Sequence, residues 1–572
     1  MRKSLAILVF LTVSALISCA QNNKQDYQGE WIGFLPDKSS FNFKVTLEKL
    51  ENNTYHLTIA NDKILIDEDL VSSREKGLLS DVDEQLFFDL KYGDDSQALT
   101  GFIKSGKLLY HVSIPHVGDN KFVGAWNPFM LDNGLQSDDI MLYMEHTEEG
   151  NYLAYPFFGD QRFRGTYTGD FKKQADTLLF RDDNTGFNFR AELLESTIEL
   201  EIFLTDVLIT KTSLRPSDDG WEYTSAPVEQ AQNTDTPAQL NDGWSTAHIS
   251  EYGINKSQLL RLIDGVRAKK LVNTHSVLIA KENNLVFETY FDGFNAHIPH
   301  DLRSASKSIS SAMIGIGIED QFIKGVDELL YDYVPQEYQY TKDSLKSKIR
   351  IKDLLTMSSG LDVNNLAYED YYQDPENPNS WLKTVLEAPM VQKPGAYADY
   401  GSANPFLLGI CLNERLDTPL ETYMDEKLFA PLGITNYINQ TDDSKVTPYF
   451  GGGMLLTPRD LLKFGQLYLN KGQWNGKQIL SKSWVEESFE KHVQLQDVRD
   501  KNQYGYLWWH DTYTINGREI ESIEARGAGG QFIFILPALE SVVVITSGNF
   551  RNGKGNQSRD ILEEFLLPAL LN

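Results

Sequence analysis

Cysteine is nearly absent. The chain has 2 in 572 residues, too few for a disulfide framework. Paired Cys/His spacing and His-Glu-x-x-His are both missing, which argues against a zinc centre. There is no excess of positive charge: 53 lysines and arginines stand against 81 aspartates and glutamates, a net charge of −28. A nucleic-acid-binding surface needs a basic footprint, so the composition argues against that class. Long apolar runs are lacking too. Beyond the N-terminus no segment reaches the ~20 apolar residues of a membrane-spanning helix. The length suits two or three domains.

The one apolar run near the start has a different character. Arg2 and Lys3 precede Leu5–Leu16, and Leu16-Ile17-Ser18-Cys19 follows. The run is too short to span a bilayer permanently. It resembles a bacterial lipoprotein signal, residues 1–18, with Cys19 as the lipidated first residue of the mature chain. A plain secretory signal is the other reading. A lipid on Cys19 would anchor the protein to a membrane in the cell envelope. Cys411 would then have no disulfide partner within the chain, and in LLGICLN it reads as a small buried apolar residue.

Residues 25–213 read as β. FNFKVTLEKL, TYHLTIA, LLYHVSI and TLLFRDD alternate or are aromatic and β-branched, and turn signals such as GDD and DNTG separate them. Gly29-Glu30-Trp31 and Gly124-Ala125-Trp126 lie at an offset of 95, which suggests two repeats. A sandwich or a pair of small barrels fits. Residues 214–243 have the Pro/Ser/Thr/Asp/Gln composition of a linker. From 244 to 572 the pattern runs strands, many helices, strands, helix. SVLIAKENNLVFETYF reads as a hairpin around Asn283-Asn284, and IKDLLTMSSGL as a short helix ended by Gly360. LTPRDLLKFGQLYLNKG reads as a helix capped by Thr457 with Gly472 after its end. This order predicts an α/β domain whose antiparallel sheet collects both ends of the segment.

RSASKSISSAMIGIGI, residues 303–318, holds a serine and a lysine three apart. Ala305, Ile309, Ala312, Met313 and Ile316 share one helix face, while Ser304, Lys307, Ser308 and Ser311 form a polar stripe on another. Ser304 and Lys307 are therefore neighbours at the start of a buried helix. The pair is either catalytic or a capping serine beside a snorkelling lysine. Ser73-Arg74-Glu75-Lys76 has the same spacing in a charged stretch and reads as surface.

Residues 244–572 resemble the serine β-lactamase and penicillin-binding-protein superfamily, most of all its class C-like esterases, D-amino-acid amidases and 6-aminohexanoate-dimer hydrolases. The resemblance rests on ordered landmarks: RSASKS, LLTMSSGL, PGAYADYGSANPFLLG, LFAPLGI, GGGMLLTPRDLLKFGQLYLNKGQWNGKQI, YGYLWW and ARGAGGQFIFILP. It implies an antiparallel sheet flanked by helices plus an all-helical lobe, and no cofactor or metal. It also implies Ser304 as nucleophile, Lys307 as the lysine of Ser-x-x-Lys, and Tyr400 as the tyrosine of the second motif. Ala525-Arg526-Gly527 falls where members carry Lys-Thr-Gly or His-x-Gly, so Ala528 and Ser304 would supply the oxyanion N–H groups. Gly527, Gly529 and Gly530 would let that strand edge approach the substrate.

Two departures bear on substrate. Ser402 stands where an asparagine that contacts substrate is common, and Ala525 where a cation grips a carboxylate. Arg526 could supply that charge, but on a strand it should point away. The expectation is an acyl-enzyme serine hydrolase acting on a small ester, amide or D-residue peptide. The alternatives are a β-lactamase or DD-carboxypeptidase, and a non-catalytic ligand sensor. Trp508 and Trp509 read as packing, Trp31 and Trp126 as core or as glycan or peptide contacts of the β region.

Overall fold

The computed structural model describes residues 26–571 apart from 52–53, 72–76, 84–85, 93–96, 130–138, 148–151, 159–162, 165–167, 175, 218–234, 365–367, 375–376, 497–501 and 551. The apolar run Leu5–Leu16, Cys19 and the Ser73–Lys76 copy lie outside the described residues. Among the described residues no helix is long and apolar enough to cross a membrane.

The regular structure among the described residues of 29–216 is almost wholly strand, with a 3-10 turn at Lys38–Phe41. Alternation drives the strands inward on one face: Thr54–Ala60 and Ile198–Leu204 bury every second residue. The strands form two antiparallel meanders. Strand Lys121–Trp126 pairs with Phe43–Lys49 on one side and Leu108–Gly118 on the other. Strand Gly29–Phe34 pairs with Asp139–His146 and Val207–Pro216. The two Gly-x-Trp strands therefore hold the same place in the two meanders, each in the half that follows or precedes its own. Their tryptophans are core: Trp31 packs on Tyr27 and Trp126 on Phe43 and Tyr110.

The second region is built on a nine-stranded sheet. Thr274–Lys281, from its beginning, lies between Asn284–Tyr290 and Ser541–Ser547, from its end. Gln531–Leu536, Arg518–Gly527 and Trp509–Ile515 continue outward. The apolar runs of the inner strands reflect burial on both faces. Val277, Ile279, Phe534 and Val543 meet helix Lys256–Arg267 and the C-terminal helix. Leu278, Ile533, Val542 and Val544 meet helices Lys307–Glu319 and Pro458–Leu469 on the other face.

Local signals fix several boundaries. Thr457 caps helix Pro458–Leu469 through Asp460 N–H, and Gly472 follows with φ 86°. The hairpin turns on Glu282 and Asn283, both at positive φ. The short helix Ile351–Leu355 stops before Gly360; Met357 takes the left-handed position instead, at φ 58°. Gly360 serves a different contact, because a Cβ there would lie 2.6 Å from the Gln392 carbonyl.

The stretch 214–243 is not wholly linker-like. Its first residues belong to the strand Val207–Pro216, and Arg459 ties down its end. Arg459 is 2% exposed and binds Glu288, Asp242 and the Ala238 carbonyl. Removing one partner from a buried, fully bonded charge cluster strands the others. Arg459→Met is expected to destabilise the protein by about 3–5 kcal/mol, read as a lower midpoint of chemical denaturation. An unchanged midpoint would show that the cluster contributes nothing.

Candidate active site

Ser304 lies in a 3-10 turn, Arg303–Ser306, which runs directly into helix Lys307–Glu319. The apolar face read from the sequence is buried, and so is the polar stripe: every residue from Lys307 to Gly317 is inside. The turn is strained at its first residue, since Arg303 has φ 50°. Asp301 compensates. Its carboxylate accepts the Arg303 backbone N–H at 3.0 Å and pairs with the guanidinium at 2.8 Å. This contact presents Ser304, half-buried, at the head of the helix.

Lys307 is 1% exposed. Its Nζ is 2.7 Å from Ser304 Oγ and 2.9 Å from Ser402 Oγ, and it donates to the Gly451 carbonyl. Burial lowers its pKa to about 8, against an opposing pull from Glu369. The three neighbours suit a neutral amine. Nζ lies within donating distance of all three oxygens. Once it has lost a proton, two N–H bonds can stay on Gly451 and Ser402 while the lone pair turns to the Ser304 hydroxyl.

Tyr400 is half-buried, with its ring centroid 5.3 Å from Lys307 Nζ. Trp509 backs that ring at 5.1 Å and Tyr504 meets it edge-on at 6.4 Å. Trp509 thus packs behind Tyr400, and Trp508 is fully buried against Phe464 and Tyr468.

Strand Arg518–Gly527 ends against the serine turn. A Cβ on Gly527 would lie 2.1 Å from the Leu302 carbonyl and 3.1 Å from Ala305 N. Ala528 follows at the exposed end of the strand. The structure places the other expected site residues as follows. The close approach at Gly527 is to the serine turn, while Gly529 and Gly530 form a tight turn at φ 83° and 95°. Their Cβ positions face Phe550 and Ser547, so what requires glycine there is packing within the protein. Ser402 is wholly buried with its hydroxyl on Lys307, so it seats the lysine and is not exposed to a substrate.

Arg526 does not act as a free cation. It bonds Glu524 at 2.7 Å, Asp511 at 2.8 Å and Asn502 at 3.0 Å, and lies over the Trp509 ring. Ala525 is buried and apolar. Cys411 is also buried, and burial pushes its thiol pKa up.

The sequence reading overlooked Gly451. A backbone carbonyl leaves no side-chain signal, and this one lies 144 residues beyond the lysine. The Gly451-Gly452-Gly453 run was the available clue.

Comparison with known proteins places the chain in a family. The 6-aminohexanoate-dimer hydrolase of Paenarthrobacter ureafaciens is 24% identical over 327 residues, covering 51% of this chain and 77% of that protein. A putative D-alanyl-D-alanine carboxypeptidase of Escherichia coli K12 is 26% identical over 127 residues, covering 20% of this chain and 27% of the relative. The solved structure of a putative 6-aminohexanoate-dimer hydrolase from Bacillus anthracis is 21% identical, covers 59% of this chain and 87% of that one, and superposes with a TM-score of 0.46. Residues 260–566 match the beta-lactamase family model. That match spans more than half of the sequence, and the chain belongs to the beta-lactamase family of serine hydrolases.

Proposed function

We propose that the protein forms an acyl-enzyme on Ser304 and hydrolyses a small ester, amide or D-residue peptide in the cell envelope. The observation that carries this reading is the seating of Lys307. A buried amine with a lowered pKa faces the serine hydroxyl, and its other bonds are already satisfied. In this reading Lys307 takes the Ser304 proton as Oγ attacks the carbonyl carbon. The tetrahedral oxyanion receives the N–H groups of Ala528 and Ser304. Tyr400 passes a proton to the leaving group as the C–O or C–N bond breaks. Water then repeats the sequence on the acyl-enzyme and frees the acid.

Ester and amide substrates are favoured over β-lactams. The position that would grip a carboxylate is Ala525, and the guanidinium beside it is occupied by Glu524 and Asp511. A lipid on Cys19 would hold the enzyme at a membrane. Cys19→Ala is expected to move the protein from the membrane fraction to the soluble fraction.

A pH profile tests the role of Lys307. The base works only when neutral, so kcat/KM should rise with pH through about 8, falling about tenfold per unit on the acid side. Initial rates on a p-nitrophenyl ester between pH 6 and 10 measure this. A profile flat across that range would remove Lys307 as the base.

A further inference from the structure

Two of the contacts between the N-terminal β region and the hydrolase region lead toward Lys307. The first is a shared sheet. Strand Leu108–Gly118 pairs with Tyr437–Gln440, which pairs with Met454–Leu456, which pairs with His300–Asp301. Leu302 N–H then donates to the Met454 carbonyl at 3.0 Å. One hydrogen-bonded sheet therefore runs from the N-terminal region to within two residues of Ser304. Between Gln440 and Met454 the chain makes the loop that carries Gly451. Gln440 closes it at both ends, donating to the Gly453 carbonyl at 2.5 Å and accepting from Tyr449 N–H at 2.7 Å. The Lys107 carbonyl accepts from the Thr441 N–H at 2.7 Å, just outside that closure.

The second contact is made by side chains. One turn from each meander meets the other. Ser105 Oγ donates to the Thr185 carbonyl at 2.6 Å, and Lys107 N–H to the Asp183 and Asn184 carbonyls at 3.0 and 2.9 Å. A Cβ on Gly106 would lie 2.5 Å from Gly186 N, and one on Gly186 equally close to Gly106 N. The interlocked turns send Lys107 into the hydrolase region, with Nζ 4.9 Å from the Trp381 ring centroid. Trp381 meets Tyr449 edge-on at 5.4 Å. Gly451 is pressed against Tyr449, because a Cβ there would lie 2.2 Å from the phenol oxygen.

Lys107 is 4% exposed. A buried ammonium is costly unless it is paired. Here the compensation comes from Asp183 on its own side and from Asp442, Asp443 and the Trp381 ring across the boundary. A lysine with no role beyond its own meander would gain more from reaching water.

We propose that the N-terminal β region is a working part of the hydrolase site, with Lys107 as a positioning residue that holds, through Trp381 and Tyr449, the Gly451 carbonyl on which Lys307 is seated. This rests on Lys307 being the base for Ser304. A shift of about 1 Å in such a seat can cost a hundredfold in rate; a partial loosening should cost about tenfold.

The test uses the full chain. Lys107→Met, Lys107→Arg and Ile263→Val are compared with the wild type for the rate of fluorophosphonate labelling and for backbone hydrogen exchange over 447–454. Ile263 is buried on helix Lys256–Arg267, in the core on the other face of the nine-stranded sheet, and its variant is the control for lowered stability. The expected result is that Lys107→Met labels about tenfold more slowly and exchanges faster over 447–454. Lys107→Arg should recover most of the rate, and Ile263→Val should label as the wild type does. Equal labelling and equal exchange in Lys107→Met would overturn the proposal. If the wild type takes no label, the hydrolase reading falls and exchange alone decides: faster exchange sustains the positioning role and unchanged exchange refutes it.

Discussion

Replacing Lys307 with methionine is expected to lower the acylation rate of Ser304 by 10³-fold or more, with the fold intact. Methionine fills nearly the same volume and suits a site that is 1% exposed. It removes a buried amine that costs desolvation, so stability should hold or rise slightly. In the proposed mechanism it also removes the group that takes the serine proton. General-base assistance is worth about 10²–10⁴-fold, and an unassisted serine hydroxyl is a weak nucleophile. Among the described residues the other hydrogen-bond partners of Nζ are a hydroxyl and a carbonyl, neither of them a base. Single-turnover labelling beside a thermal melt separates the two effects. A variant that labels within tenfold of the wild type would place the base elsewhere.

Gly527→Ala should be nearly as damaging, for a steric reason. The added Cβ would lie 2.1 Å from the Leu302 carbonyl, which belongs to the turn that presents Ser304. Backbone stands on both sides of this contact, so no flexible side chain can give way. The strand end must retreat by about 1 Å, and an oxyanion donor displaced that far costs about 10²–10³-fold. In the proposed mechanism Ala528 N–H is the donor that moves. The variant should fold, since the clash is confined to the end of strand Arg518–Gly527. Labelling within threefold of the wild type would mean that the strand end is not part of the oxyanion site.

How far these features could be read in advance depends on the range of the interaction. The Ser304–Lys307 contact spans one helical turn, so its spacing is visible in the sequence. Thr457, Pro458 and Gly472 mark a helix by local capping, and Asn475-Gly476 marks a turn by backbone preference. Gly360 misleads because its positive φ serves a contact with the Gln392 carbonyl, not the end of a helix. Ser402 has a partner that its position in the motif does not suggest. It occupies the slot of a substrate contact, but packing buries it and turns its hydroxyl to Lys307. Family resemblance supplied Tyr400 and the oxyanion strand, which local periodicity could not. The Gly451 carbonyl and the reach of Lys107 into the hydrolase region depend on tertiary pairing across 144 residues and between two regions of the chain. No short-range pattern encodes either.

Intact-mass labelling of Ser304 decides whether the site is chemically alive. Purified protein without residues 1–18 is treated with a fluorophosphonate and separately with a penicillin, beside Ser304→Ala. The predicted result is a single fluorophosphonate adduct that is absent from Ser304→Ala, with slow or no penicillin adduct because Ala525 offers no cation. A folded wild-type protein that takes neither reagent would contradict the reading of Ser304 as an activated nucleophile and favour a ligand-binding role for the fold.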